Sequence, residues 1–155
     1  MSGFAFPITT YGTSTGGHVV GRDYQDEATG YWYTFCQAHT VLSGDTTAIG
    51  QVAIQVSATQ RGVATNQGTG ALDATYPSPL GIIQSVCPES TSTVTYYFWA
   101  LCKGYTATIL NDGTDVVVGY VLHLVVADPV TVKAIIATAT ASNDWLIRTT
   151  IGRAT

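Results

Sequence analysis

Charge is what this chain has least of. Of its 155 residues, 10% are Asp, Glu, Lys or Arg, where ordinary soluble domains carry about 25%. Six Lys and Arg residues over the whole chain cannot build a groove that tracks phosphates, so nucleic-acid binding by counterion release is excluded. The formal net charge of -4 is modest, and no acidic or basic tail is present. Glu and Lys occur twice each, too rarely for a coiled coil or a long helical bundle. Long apolar runs are missing too. The longest, residues 116–127, falls short of the roughly 20 residues of a membrane helix. The start Met1-Ser2-Gly3-Phe4-Ala5-Phe6-Pro7 has no basic n-region and no apolar h-region. Synthesis in a cytosol without export through a signal is the expectation. Cysteine is sparse: Cys36, Cys87 and Cys102 form no C-x-x-C and no regular framework. Free, buried, structural thiols are expected, with a single Cys87–Cys102 bridge as the alternative.

Uncharged polar residues take the place of the missing charge. The chain has 25 threonines and 16 glycines, with an ordinary 46% of hydrophobic residues. It is rich in aromatic and β-branched residues, which disordered chains lack. Turn signals recur at short intervals between segments of Val, Ile, Thr, Tyr, Phe and Trp, so the pattern is β throughout. Strands are expected at 30–38, 46–57, 81–86, 94–102, 105–110, 116–127, 130–140 and 145–151. The 94–102 strand places Tyr96, Phe98, Ala100 and Cys102 on one face and Tyr97, Trp99 and Leu101 on the other. Both faces are apolar, as are those of 116–127. A half-wet sheet has one polar face; here another sheet, a barrel interior or a neighbouring subunit must cover the second. Residues 62–80 read as a long irregular crossing, because Pro77 and Pro79 argue against a central strand. Asn111-Asp112-Gly113 is a tight-turn signal. The fold class expected is all-β, an antiparallel β-sandwich or a small β-barrel with an extended N-terminal arm. Residues 1–21, which hold no charged side chain, form the arm, and 22–155 a single β domain.

Chemistry leaves little trace. Gly12-Thr13-Ser14-Thr15-Gly16 fits G-x-S-x-G, but a nucleophile elbow needs a core strand before it and a helix after it; a loop is expected instead. His18, His39 and His123 lack metal-ligand spacing. Asp23, Asp26 and Glu27 form the one acidic cluster, read as a solvated loop rather than a glycosidase pair. Asn111 to Asp115 lacks the ligand set of a calcium loop. There is no Walker loop and no dinucleotide fingerprint. No catalytic, metal-binding or cofactor-binding residue is assigned, and no enzyme activity is expected. Tyr31, Trp32, Tyr33, Tyr96, Tyr97 and Trp99 could form a sugar-stacking platform, although packing accounts for most of them.

From residue 11 to residue 154 a series of loose motifs follows in order: Tyr11-Gly12; Tyr33-Thr34-Phe35-Cys36-Gln37-Ala38; Leu42-Ser43-Gly44-Asp45; Gly62-Val63-Ala64; Pro79-Leu80-Gly81-Ile82. Then come Tyr96-Tyr97-Phe98-Trp99-Ala100, Cys102-Lys103-Gly104-Tyr105, Val118-Gly119-Tyr120-Val121-Leu122 and Ile151-Gly152-Arg153-Ala154. In these motifs the chain resembles the small β-rich capsid decoration, or cement, proteins of tailed bacteriophages. The resemblance implies a non-catalytic protein on the outer surface of the virion. It implies a partner, the major capsid protein, whose neighbouring subunits are clamped, and self-association, commonly as a trimer. The long 66–79 loop and the uncharged arm depart from the family pattern. Phe4, Phe6, Ile8 and Tyr11 in the arm and Tyr76 in the loop are the candidate capsid or subunit contacts. The alternative reading is a carbohydrate- or host-surface-binding β-module, such as a fibre or spike head, which requires an exposed aromatic platform. Neither reading involves nucleic acid, a membrane or a cofactor.

Overall fold

Two of the expected strands, 30–38 and 94–102, find each other. Strand β2 (Trp32–Ala38) pairs antiparallel with β6 (Tyr97–Lys103), and Cys36 lies opposite Phe98 and Phe35 opposite Trp99. The computed structural model describes residues 3–66, 78–104, 122–125, 133–136 and 145–146. The other strands among them are β1 (Asp23–Gln25), β3 (Val52–Gln55), β4 (Val63–Thr65), β5 (Ser78–Ile83), β7 (Leu122–Val125), β8 (Lys133–Ile136) and β9 (Trp145–Leu146). The one helical element among the described residues is a 3-10 turn at Ser43–Asp45.

Six strands form one sheet in the order β1-β2-β4-β3-β5-β6, and the β2–β6 pairing closes five of them into a barrel. The small-barrel form of the all-β expectation is therefore the one adopted. The β2–β4 pair is parallel and the remaining pairs are antiparallel. Strand β1 is an extra strand on the early half of β2. A second, three-stranded antiparallel sheet has the order β8-β7-β9, with His123 of the central strand opposite Ile135 and Leu146. The expected 105–110 strand and the 111–113 turn lie outside the described residues.

One polar contact tells the inside of the barrel from the outside. Thr34 Oγ1 of β2 lies 3.0 Å from the carbonyl oxygen of Leu80 in β5 and 2.7 Å from Asp23 Oδ1. Strand β6 stands between β2 and β5, so a short hydroxyl side chain can span them only across the interior. The Thr34 face of β2 is thus the inner face. Cys36, Ala38, Ala53, Ala64, Ala100, Phe98 and Ile83 fill it, with Leu42 and Cys87. Small residues dominate because a five-stranded barrel encloses a narrow core that side chains must fill without strain. The alternate positions, Tyr33, Phe35, Val52, Ile54, Ile82, Trp99 and Leu101, form a second buried cluster on the outer face.

Three sequence expectations require correction. Of the strand expected at 46–57, only Val52–Gln55 is strand. Within residues 62–80, β4 occupies 63–65 and β5 begins at Ser78, so both ends of the expected irregular crossing are strand. Pro79 is tolerated because it lies opposite Ile54 at a β-bulge, and at that level β5 has no β6 partner to ask for its N–H. Asp23, expected in a solvated loop, belongs to β1 and sits opposite Thr34.

Candidate functional site

The outer aromatic face is covered by the chain itself. Phe4, Phe6, Ile8 and Val20 are partly buried against the cluster around Trp99. The Phe4 ring meets Trp99 edge-on at 4.5 Å and Tyr33 at 5.6 Å. Phe6 lies 5.9 Å from Trp99 and 6.0 Å from Phe35. The His18 ring packs on Tyr24 at 4.6 Å and Trp99 at 5.2 Å, and its Nδ1 lies 3.1 Å from the Thr15 carbonyl. Aromatic pairs in such edge-to-face arrangements each add about 0.5–1.5 kcal/mol beyond burial. Residues 3–20 thus act as a strap over the barrel wall.

Glycines let the strap lie close. Gly12 exchanges two backbone hydrogen bonds with Tyr97: its N–H donates to the Tyr97 carbonyl at 3.0 Å, and its carbonyl accepts from the Tyr97 N–H at 2.8 Å. A Cβ at Gly12 would fall 2.5 Å from the Phe6 ring. The first glycine of the G-x-S-x-G match therefore answers to packing, and Ser14 Oγ merely accepts the Gly16 N–H. At the far end of the strap, Gly21 donates to the Phe35 carbonyl at 2.7 Å, and a Cβ on Gly62 would come 2.2 Å from the Gly21 nitrogen.

Of the candidate contacts, Phe4, Phe6 and Ile8 are half-buried on their own barrel. Tyr11 is 44% exposed and its ring rests edge-on against Tyr96 at 5.6 Å. Tyr76 lies outside the described residues. Trp99 and Tyr33 are buried, while Tyr31, Trp32, Tyr96 and Tyr97 are half-buried. No flat exposed platform of these six rings is formed. Sequence reasoning missed His18, Val20 and Tyr24 as clamps. Their one signal is apolar or aromatic character in a segment with no period.

The chemistry of the described residues is quiet. Cys36, Cys87 and Cys102 are free thiols, so the Cys87–Cys102 bridge is not formed. Burial pushes the Cys36 thiol up, helped by the neighbouring Cys102 and Asp23, and pushes Cys87 up to about 12. Burial also raises Cys102. Protonated, enclosed thiols are poor nucleophiles. Desolvation raises the Tyr33 phenol, with the carboxylate of Asp26 adding to it. Among the described residues no group of three or more His, Cys, Asp or Glu could hold a metal ion, and no helix is long and apolar enough to cross a membrane. One buried polar atom of the outer face stands alone: Trp99 Nε1 has no hydrogen-bond acceptor among the described residues.

No family model matches this chain, and neither a curated protein nor a solved structure matches it.

Proposed function

We propose that the chain is a virion structural protein that binds the outer surface of a tailed-phage capsid and stabilises the shell by clamping neighbouring major capsid subunits. The observation that carries this reading is the ordered series of motifs resembling capsid decoration proteins, densest across residues 96–105. Two physical features support it. A chain with 10% charged residues overall lacks the charge that keeps freely diffusing proteins apart. A closed barrel with a filled interior is a rigid platform from which contacts can be presented. In this reading the exposed Tyr11 beside Tyr96 and the segment carrying Tyr76 make the first contacts. Retention comes from many modest contacts repeated on a symmetric lattice. Copies of the chain cluster on that lattice, as trimers in the arrangement the resemblance implies.

The test is co-sedimentation with capsids assembled from the major capsid protein encoded in the same genome, followed by cryo-electron microscopy. Ordered extra density on the shell surface is expected. Saturating protein that leaves the shell bare defeats the proposal.

A further inference from the structure

The strap and the barrel are separable in a way the rest of the fold is not. The inner cluster draws no residue from the segment before β2. The barrel therefore closes without the strap, and the strap covers only the outer wall. Residues 3–16 pack as one piece: Phe6 sits on Gly12, and a Cβ on Gly16 would meet the Ala5 Cβ at 2.6 Å. The Thr15–His18 turn, in which the His18 N–H donates to the Thr15 carbonyl at 2.9 Å, joins that piece to the anchored part. Gly17 has φ +88°, is exposed, and has open space where a side chain would stand. Immediately after it, His18 is held by Trp99 and Tyr24. Two features limit the grip of the closed state. Its backbone hydrogen bonds to a regular strand are the pair at Gly12 and Tyr97. Beneath it the Trp99 indole N–H is buried without an acceptor among the described residues, a cost removed whenever water reaches it.

We propose that residues 3–16 form an exchangeable strap, and that the outer aromatic face of one copy can be covered by the strap of a second copy. The ring contacts of the closed monomer can be reproduced in the exchanged pair, so the two states differ in the Thr15–His18 turn, where the His18 N–H donates to the Thr15 carbonyl at 2.9 Å, and in the entropy of association. Such exchange is a low-cost route to assembly, and crowding copies together favours it by mass action. Tyr11 and Tyr96, whose rings touch within one chain, then touch between chains.

The experiment uses full-length chains. Tyr11→Cys and Tyr96→Cys single variants of different mass are incubated together at high concentration and treated with a short bis-maleimide. A Tyr11→Cys sample alone gives the collision background, and the double variant gives the intrachain scale. Heterodimer several-fold above background, rising with concentration and rising further with Gly17→Pro in both chains, is expected. Proline cannot adopt a positive φ, so it opens the fold-back link. Heterodimer no higher than background, with the double variant cross-linking within the chain, overturns the proposal. So does a Gly17→Pro chain that stays monomeric by sedimentation at every concentration. This outcome is independent of capsid binding.

Discussion

The two walls of the barrel solve the same problem by opposite means. The inner wall buries small side chains, four alanines and two thiols among them, and is completed by closure of the sheet. The outer wall buries large rings and is completed by a segment lying across it. Closure demands a fixed volume, so the inner wall is intolerant of size in either direction. A strap can shift by fractions of an ångström, so the outer wall responds in smaller steps. Strands that are apolar on both faces need two covers, and here one cover is geometric and the other is a length of chain.

The contrast can be broken most forcefully from inside. Phe98→Ala should cost about 3–5 kcal/mol, since Phe98 is the largest side chain of the inner wall and the barrel cannot collapse around the void. Urea denaturation measures it. Ala100→Leu adds volume where there is none and should cost about 1–3 kcal/mol; a smaller loss would mean the interior is looser than its residues imply. On the outer wall, Phe4→Ala should cost about 1–2 kcal/mol, near half the value for a fully buried ring, because Phe4 is half-exposed. Trp99→Phe keeps a ring and removes the unpaired N–H, so a loss below about 1.5 kcal/mol is expected in the same titration.

A separate effect, confined to alkaline solution, is a slope with pH. In the unfolded chain the thiols lose their protons near 9, while in the folded chain burial holds Cys36 above that value and Cys87 up to about 12. The folded state therefore binds more protons above pH 9, and stability falls as pH rises from about 9 towards 12. Thermal melts across that range should show the decline, and Cys87→Ala should make it shallower. An unchanged slope would mean the thiols are not enclosed.

Much of the barrel wall is legible in the sequence. The alternation in residues 97–101 assigns Trp99 and Phe98 to opposite walls, and the structure keeps that assignment. The free thiols follow from their lack of pattern. Strand β4 is hidden because three residues carry no period, and Pro79 hides the start of β5 because a bulge excuses a residue type that strands usually refuse. The fate of Phe4, Phe6 and Ile8 is hidden for a different reason. Apolar residues in an aperiodic segment signal burial but do not say against what, since the answer lies with Trp99 far along the chain. The strap's partner is therefore a tertiary fact, with no local signature to read.

Barrel closure also sets a timetable. Strand β2 has no β6 to pair with until residues 97–103 have left the ribosome. At roughly 5–20 residues per second, the strap and the first strands wait several seconds for the element that completes both walls. Contacts this distant in sequence are slow to form in any chain. During that interval the rings of the strap and of β2 are bare, and a nascent chain with few charges has little repulsion to protect it.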